Sequence, residues 1–391
     1  MYNIKCRQKY NMDLELPELS TRYTNLLNSI KKNVVYIKEV FDNSTFRYRT
    51  YNILESMERN KKYFVTAFLV RELYFLYKLV DKIDIIFLQR AKWSFELDSF
   101  ITFAKSKKKI IIYDMDDMIY DPKYVPEYLN SIGDYKDFVI DSFFALAKRY
   151  ELVINRCDGV VATTCNLVEN IKKDLKLPVW QLNNYLNKEQ IEASNIVINL
   201  KQNKYNDSKF IIGYFSGSNS HVRDLEIAEG AIVKLMDKYD DVYLKIVGHM
   251  QLSKGLENYK KQGRVIFSKF VSYEELQYEI GKVDLNIIPL QKHEFNACKS
   301  ELKYFEASVV NTLSLATNNE VYSKIIVDGK DGFLANQLEW FDKLEYIYNN
   351  YQDMGKVIEN ANRKCHKLYD YDKQMNKIEK IYDDILKKIG D

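Results

Sequence analysis

Two clusters of residues have types and spacings from which chemistry follows. In KIIIYDMDDMIYDP an apolar run leads directly into Asp114, Asp116 and Asp117, delivering three carboxylates to one strand end. Clustered carboxylates repel, so they are kept where they accept hydrogen bonds, hold a cation or shift one another's pKa for proton transfer. A helix start decorated with acids is the plainer reading, since the helix dipole also favours it. The second cluster lies in FNACKSELKYFEASVVNTLSLAT, Phe295 to Thr317. Here Lys299 offers a point charge for a phosphate, Ser300 a hydroxyl, and Glu306, two turns on, a carboxylate for ribose hydroxyls. The plainer alternative is that Ser300 only caps a helix and the charges are solvated.

The elements around each cluster must position these groups. VDLNIIPL, Val283–Leu290, is an apolar run of strand length, and the loop after it ends at Ser300, read as a helix N-cap. Leu302, Phe305, Val309 and Val310 recur at helical spacing, and Asn311 suits the left-handed conformation of a helix end. A strand that feeds a helix through a polar loop places free N–H groups at the carboxyl edge of a parallel sheet, an anion site.

Upstream, NVVYIKEV reads as a first strand, followed by a loop and helix carrying Arg47, Tyr48 and Arg49. KYFVTAFLV precedes a helical stretch ending near Lys82, and DIIFLQR ends its apolar run on Gln89 and Arg90, which places Arg90 at a ligand-binding edge. A helical region, Lys136–Asn155, is followed by DGVVATTCNLVENIKK and by LPVWQLNNYLN, the last strand of a first domain. Residues Lys188–Asp207 are polar and read as a linker with a short helix. KFIIGYFSGSNSHVRDLEIAEGAIVKLMDKY then gives a strand, a turn and a helix. In the turn Gly217 permits close backbone approach, and Ser216, Ser218 and Asn219 are donors. The expected domains are 1–187, a linker 188–207, 208–350, and terminal helices 351–391 packing across both.

The Phe295–Thr317 segment resembles the donor-binding loop and helix of retaining glycosyltransferases with the GT-B fold, family 4 (glycosyl transferases group 1) in particular. Glu306-Ala307 matches the second half of that family's Glu, seven residues, Glu pattern; Cys298 stands at the first Glu, and KSELKYFEA resembles a subgroup with Lys-Ser there. VYLKIVGHM matches the strand that ends on Gly, and DGKDGFLANQ the Asp-Gly-x-x-Gly-Phe-Leu-Val strand. The resemblance implies an α/β protein of two Rossmann-like domains facing each other across a cleft. It implies donor-binding roles for Gly217, Ser218, Asn219, His221, Arg223, Gly248, Val271, Lys299, Ser300, Glu301 and Glu306. Arg47, Tyr48, Arg90 and Asp114 fall on the acceptor side or in the cleft. Asp116 or Asp117 would act on the acceptor hydroxyl, and Lys299 on the leaving diphosphate. The family's Arg and Lys four residues apart are missing from the first donor-domain loop, where Arg223 or Lys299 stands in.

The function expected is transfer of a sugar from a nucleotide-diphosphate donor to an acceptor hydroxyl with retention, in bacterial surface polysaccharide or glycoprotein glycan synthesis. Partners would be the nucleotide sugar and a glycan, lipid-linked or glycoprotein acceptor. No cofactor or metal is required in this reading, although Asp114-Met115-Asp116 has the Asp-x-Asp form that holds a divalent cation in another glycosyltransferase architecture. A catalytically silent partner or chaperone subunit is the alternative. The chain has 391 residues and a net charge of +3, which gives no prior for nucleic acid. Its apolar runs are too short for a membrane span and the N-terminus has no apolar signal core, so a cytoplasmic protein is expected. Lys105, Lys107, Lys108 and Lys109 form either a solvated turn or a contact for an anionic membrane, the basis for expecting peripheral membrane association. Five scattered cysteines and four scattered histidines lack metal-type spacing, so free thiols are expected.

Overall fold

The computed structural model describes residues 16–40, 44–132, 136–202, 209–216, 223–248 and 252–390. Their strands form two six-stranded sheets in which every pairing is parallel. The first contains β1 (Lys32–Lys38), β2 (Tyr63–Leu69), β3 (Ile85–Gln89), β4 (Ile110–Met115), β5 (Gly159–Ala162) and β6 (Val179–Gln181), in the order β2-β1-β3-β4-β5-β6. The second contains β7 (Phe210–Ser216), β8 (Val242–Gly248), β9 (Val265–Ser268), β10 (Leu285–Ile288), β11 (Leu313–Thr317) and β12 (Phe333–Ala335), in the order β12-β11-β10-β7-β8-β9. Two parallel α/β sheets of this kind are the GT-B architecture.

Parallel strands are covered by helices on both faces, which is why most of these segments read as apolar runs without alternation, broken by buried polar residues such as Lys245 in β8 and Asn286 in β10. KYFVTAFLV supplies β2, at the sheet edge. Register is pinned at the amino edges by one repeated device. Asp84, Asp158 and Asp284 each sit just before a strand and accept the N–H of the second residue of a neighbouring one: Asn33 at 2.7 Å, Ile111 at 2.9 Å and Ile211 at 2.7 Å. Each strand order reverses beside the first strand of its sheet, between β1 and β3 and between β7 and β10. Crevices at such reversals, outside the carboxyl ends of the strands, are where open α/β sheets bind ligands.

The linker is more ordered than its polarity suggests. Residues Lys188–Gln202 form one helix of 15 residues in which Gln190 and Ser194 are wholly buried. The chain later returns: helix Gly355–Tyr369 packs on the second sheet's side, where Asn362 donates to Ser308 O at 3.1 Å. Helix Met375–Ile389 then covers the first, with the Tyr382 and Tyr36 hydroxyls 3.0 Å apart and Trp180 Nε1 donating to Asp384 at 2.7 Å. The two crossings meet where Leu186 N–H donates to Tyr369 O at 2.9 Å.

The lysine cluster lies at the amino edge of the first sheet and is largely engaged. Lys105 pairs with Asp158 at 2.8 Å, Lys107 approaches Asp81 at 3.7 Å, and Lys109 donates to Asp81 O at 3.1 Å. No helix among the described residues is long and apolar enough to cross a membrane. Cys157, Cys165, Cys298 and Cys365 are free thiols, and Cys6 lies outside the described residues.

At the carboxyl edge of the first sheet, Arg49 and Asp114 are both completely buried. Arg49 Nε and Nη2 donate to the two Asp114 oxygens at 2.9 and 2.8 Å, and Nη1 reaches Leu182 O at 2.6 Å and Asn184 Oδ1 at 3.3 Å. Arg49→Met would leave a buried carboxylate uncompensated, at a cost of about 3–5 kcal/mol. A correspondingly lower midpoint of unfolding in urea is expected.

Candidate functional site

The loop after β10 is built against the first sheet's helices. Residues Glu294–Ala297 form one helical turn that the sequence pattern does not announce, opened by His293, whose Nδ1 accepts the Asn296 N–H at 3.2 Å. Phe295 N–H donates to Glu127 at 2.9 Å, Asn166 Nδ2 to Ala297 O at 2.8 Å, and Thr164 Oγ1 to Cys298 O at 2.9 Å. Three bonds from the first domain thus fix the loop that carries Lys299.

The helix that follows, Leu302–Ser308, is only two turns long and begins at Glu301 without a side-chain cap. Ser300 is therefore not its N-cap, and its Oγ is buried without a hydrogen-bond partner. Glu301 is buried too, accepting from Asn183 at 3.2 Å and from Tyr369 at 2.8 Å, which makes it a tie between segments. So short a helix contributes little terminal charge, and an anion held here would rest on side chains.

Those side chains include one that the sequence reading passed over. Lys303 lies one turn beyond Lys299, its Nζ buried without a hydrogen-bond partner and 5.1 Å from the centre of the Tyr214 ring. Burial pushes its pKa down to about 8, opposed by Asp224 and reinforced by Lys299. Lys299 is lowered as well, by burial against the pull of Asp224 and Asp117, with its ammonium 5.2 Å from the Phe295 ring centre. The i, i+4 spacing of the two lysines was the available signal. Asp224, completely buried, accepts from Gln291 N at 3.0 Å and Asn296 Nδ2 at 3.2 Å.

Glu306 sits three residues past Lys303 and accepts a hydrogen bond from Tyr48 of the first domain. Burial raises its carboxyl, resisted by Tyr48, Arg47 and Lys303. Arg47 and Tyr48 thus face Glu306 and Tyr273: the Arg47 guanidinium lies 4.1 Å from the Tyr273 ring centre. Val271 packs into the same apolar cluster as Tyr48 and Phe305. Gly248 has φ +106°, and a Cβ there would lie 1.9 Å from Ser216 O, so only glycine fits where β7 and β8 end together. Arg223 donates to Asn130 O at 3.3 Å. Gly217, Ser218, Asn219 and His221 lie outside the described residues.

Across from the lysines stand the aspartates. Asp114 is not in the cleft at all, being completely buried with Arg49. Asp116 pairs with Arg90 at 3.2 Å, and Arg90, at φ +44°, donates its N–H to Asp114 O at 3.1 Å. Asp117 Oδ1 is buried with no partner. Burial raises its carboxyl, Arg90 pulls it back, Asp116 adds to the rise and Lys299 opposes it. Both members of the Asp-x-Asp pattern are thus engaged by arginines. Among the described residues no group of three or more His, Cys, Asp or Glu is placed to hold a metal ion. Cys298 is completely buried, its Sγ 3.3 Å from Met118 Sδ and 3.2 Å from Asn170 Nδ2, with burial pushing the thiol up to about 12.

Residues 198–364, the stretch holding all of the second sheet, match the family described as Glycosyl transferases group 1. No curated protein sequence matches the chain. Among solved structures, a glycosyltransferase from Rickettsia africae is similar over 92% of this chain and 100% of its own, with 13% identity and a TM-score of 0.64. HepE from Anabaena, solved in complex with UDP, is similar over 90% and 100%, with 12% identity and a TM-score of 0.59. Sucrose-phosphate synthase from Thermosynechococcus elongatus is similar over 91% and 99%, with 11% identity and a TM-score of 0.60. At such identities the likeness is one of fold, the GT-B pair of sheets.

A cradle that depends on Lys303 should bind anions in a pH-dependent way. Its ammonium is charged below about pH 8 and neutral above, so affinity falls as pH rises through that value. Pyrophosphate affinity, measured by calorimetry as the ratio of wild type to Lys303→Arg, should drop about tenfold for each unit above that point.

Proposed function

We propose that the protein is a GT-B glycosyltransferase that moves a sugar from a nucleoside-diphosphate donor to an acceptor hydroxyl, with retention at the anomeric carbon. One observation carries this reading: two lysines four residues apart, Lys299 and Lys303, are both stripped of hydration, and Lys299 is close enough to Asp117, whose Oδ1 is buried without a hydrogen-bond partner, to oppose the rise of its carboxyl. Charge that develops on a leaving diphosphate is best stabilised by cations already in place where water is excluded. Both lysines meet that need without a metal.

The donor lies on the second domain, 208–350, with its ribose toward Glu306, and the acceptor on the first, 1–187. Asp117 is better suited than Asp116 to take the acceptor proton, because Asp116 is held by Arg90. As that proton leaves, the diphosphate departs with the electron pair of the broken bond and the acceptor oxygen bonds to the anomeric carbon on the same face, which keeps the configuration. The resemblance of the 295–317 segment and the match of residues 198–364 support the class of reaction. We place the protein in the bacterial cytoplasm, acting on a glycan, lipid-linked or glycoprotein acceptor.

Thermal unfolding in the presence of UDP, GDP, ADP or dTDP, with and without magnesium, tests the donor site. One diphosphate should stabilise the protein by ~2.7 kcal/mol at a hundred times its dissociation constant. That stabilisation should not need the metal and should be lost in Lys299→Ala. Once a donor is known, Asp117→Asn should lower kcat by roughly 10²–10⁴-fold and leave diphosphate affinity unchanged. A protein that no diphosphate stabilises and that never hydrolyses a donor would be the silent partner instead.

A further inference from the structure

The donor site just proposed contains a residue from the other domain. Residues Arg47–Tyr51 wind as a wide turn in which Asn52 N–H reaches back five residues to Arg47 O. Such turns insert one residue into a helix and recur at functional sites. Here the turn swings Tyr48 out of the first domain onto helix Leu302–Ser308, where its hydroxyl meets Glu306. Resting on the reading of Glu306 as the ribose-binding carboxylate, we propose that Tyr48 is a positioning residue. It holds one Glu306 oxygen, so that the other is presented to the ribose hydroxyls, and the nucleotide site is complete only when the two domains are together.

The direction of the hydrogen bond is fixed by its neighbours. Gln190 Nε2 donates to the Tyr48 oxygen at 2.9 Å, so the single phenolic proton is directed to Glu306 Oε1. Burial and the Glu306 charge keep the phenol protonated. The ring is clamped as well, edge-on to Phe305 at 6.3 Å between centroids and with the Arg47 guanidinium 4.8 Å from its centre. Tyr48 and Glu306 are 3% and 7% exposed, so the bond is dry and its geometry is held.

The surroundings show where a ligand is wanted. Two cationic groups beside the same carboxylate are buried without hydrogen-bond partners, Lys303 Nζ and Arg47 Nε. Unsatisfied buried donors are costly and uncommon in folded proteins. Their gathering around a carboxylate oriented from across the cleft fits a site that a polar, anionic molecule completes.

Calorimetry of the full-length protein with UDP, 2′,3′-dideoxy-UDP and inorganic pyrophosphate tests this, with GDP or ADP pairs used where one of those is the stabilising diphosphate. Wild type should prefer the ribonucleotide about tenfold, the worth of a charge-assisted hydrogen bond. In Tyr48→Phe that preference should shrink to about twofold or less, while pyrophosphate affinity is unchanged. Gln190→Met, which leaves Tyr48 in place but frees its proton, should narrow the preference in the same direction; it serves if Tyr48→Phe does not fold. A ribose preference that survives Tyr48→Phe overturns the proposal, as does an equal loss of nucleotide and pyrophosphate binding or a wild type indifferent to the ribose hydroxyls. Absence of all binding, pyrophosphate included, would instead overturn the donor site itself, and the inference with it.

Discussion

Much of this structure depends on one ion pair removed from water. Taking Arg49 and Asp114 out of solvent costs several kcal/mol per ion, which their mutual attraction offsets only if the geometry is good and the remaining donors are satisfied. Both conditions hold: the contact is bidentate, and Arg49 spends its last nitrogen on Leu182 O and Asn184. Three segments distant in the chain are thereby pinned together at the sheet edge: the wide turn after β1, the end of β4 and the strand exit after β6. With β4 held at Asp114, the next residues leave the sheet in a fixed direction, toward Arg90 and the opposing loop. With the turn held at Arg49, its preceding residues are aimed at the second domain.

Burial does most of the electrostatic work on the opposite side. Lys299 and Lys303 both lose hydration, which lowers them, while Asp224 draws each of them back. The Lys303 ammonium, buried without a hydrogen-bond partner, costs stability by itself, and an anion bound beside it would recover part of that cost. Asp117 is the mirror image, a carboxylate raised by burial and tempered by nearby positive charge.

The sheets could be read from the sequence because parallel strands covered on both sides become continuous apolar runs, and β1, β3, β4 and β7 have that form, while β8 and β10 keep it around the buried Lys245 and Asn286. Asn311 was recognisable for a local reason, a left-handed conformation that asparagine tolerates, and it has φ +54°. The site was only partly legible. Lys299 and Glu306 are legible from their place after a strand and along a helix, whereas Lys303 carries no mark in the sequence beyond its distance from Lys299. Ser300 resembled a cap, yet the backbone turns one residue later. Asp114 could not be separated from Asp116 and Asp117, because which of three adjacent carboxylates meets a buried arginine depends on a contact spanning 65 positions. Cys298, similarly, is explained by Met118 and Asn170, residues far from it in sequence.

The bond between Leu186 and Tyr369 has a kinematic meaning. The chain passes between the two halves twice, and at this point the outgoing and returning strands are fastened to each other. Two free tethers would allow the halves to slide, twist and part, whereas two tethers tied at one place leave little but rotation about that place. Groups near the pivot, such as Glu301 with its partner Tyr369, would keep their contacts through such a swing. The loop that seats on Glu127 and Thr164 lies on a longer lever arm, so a small angle there becomes a wide mouth.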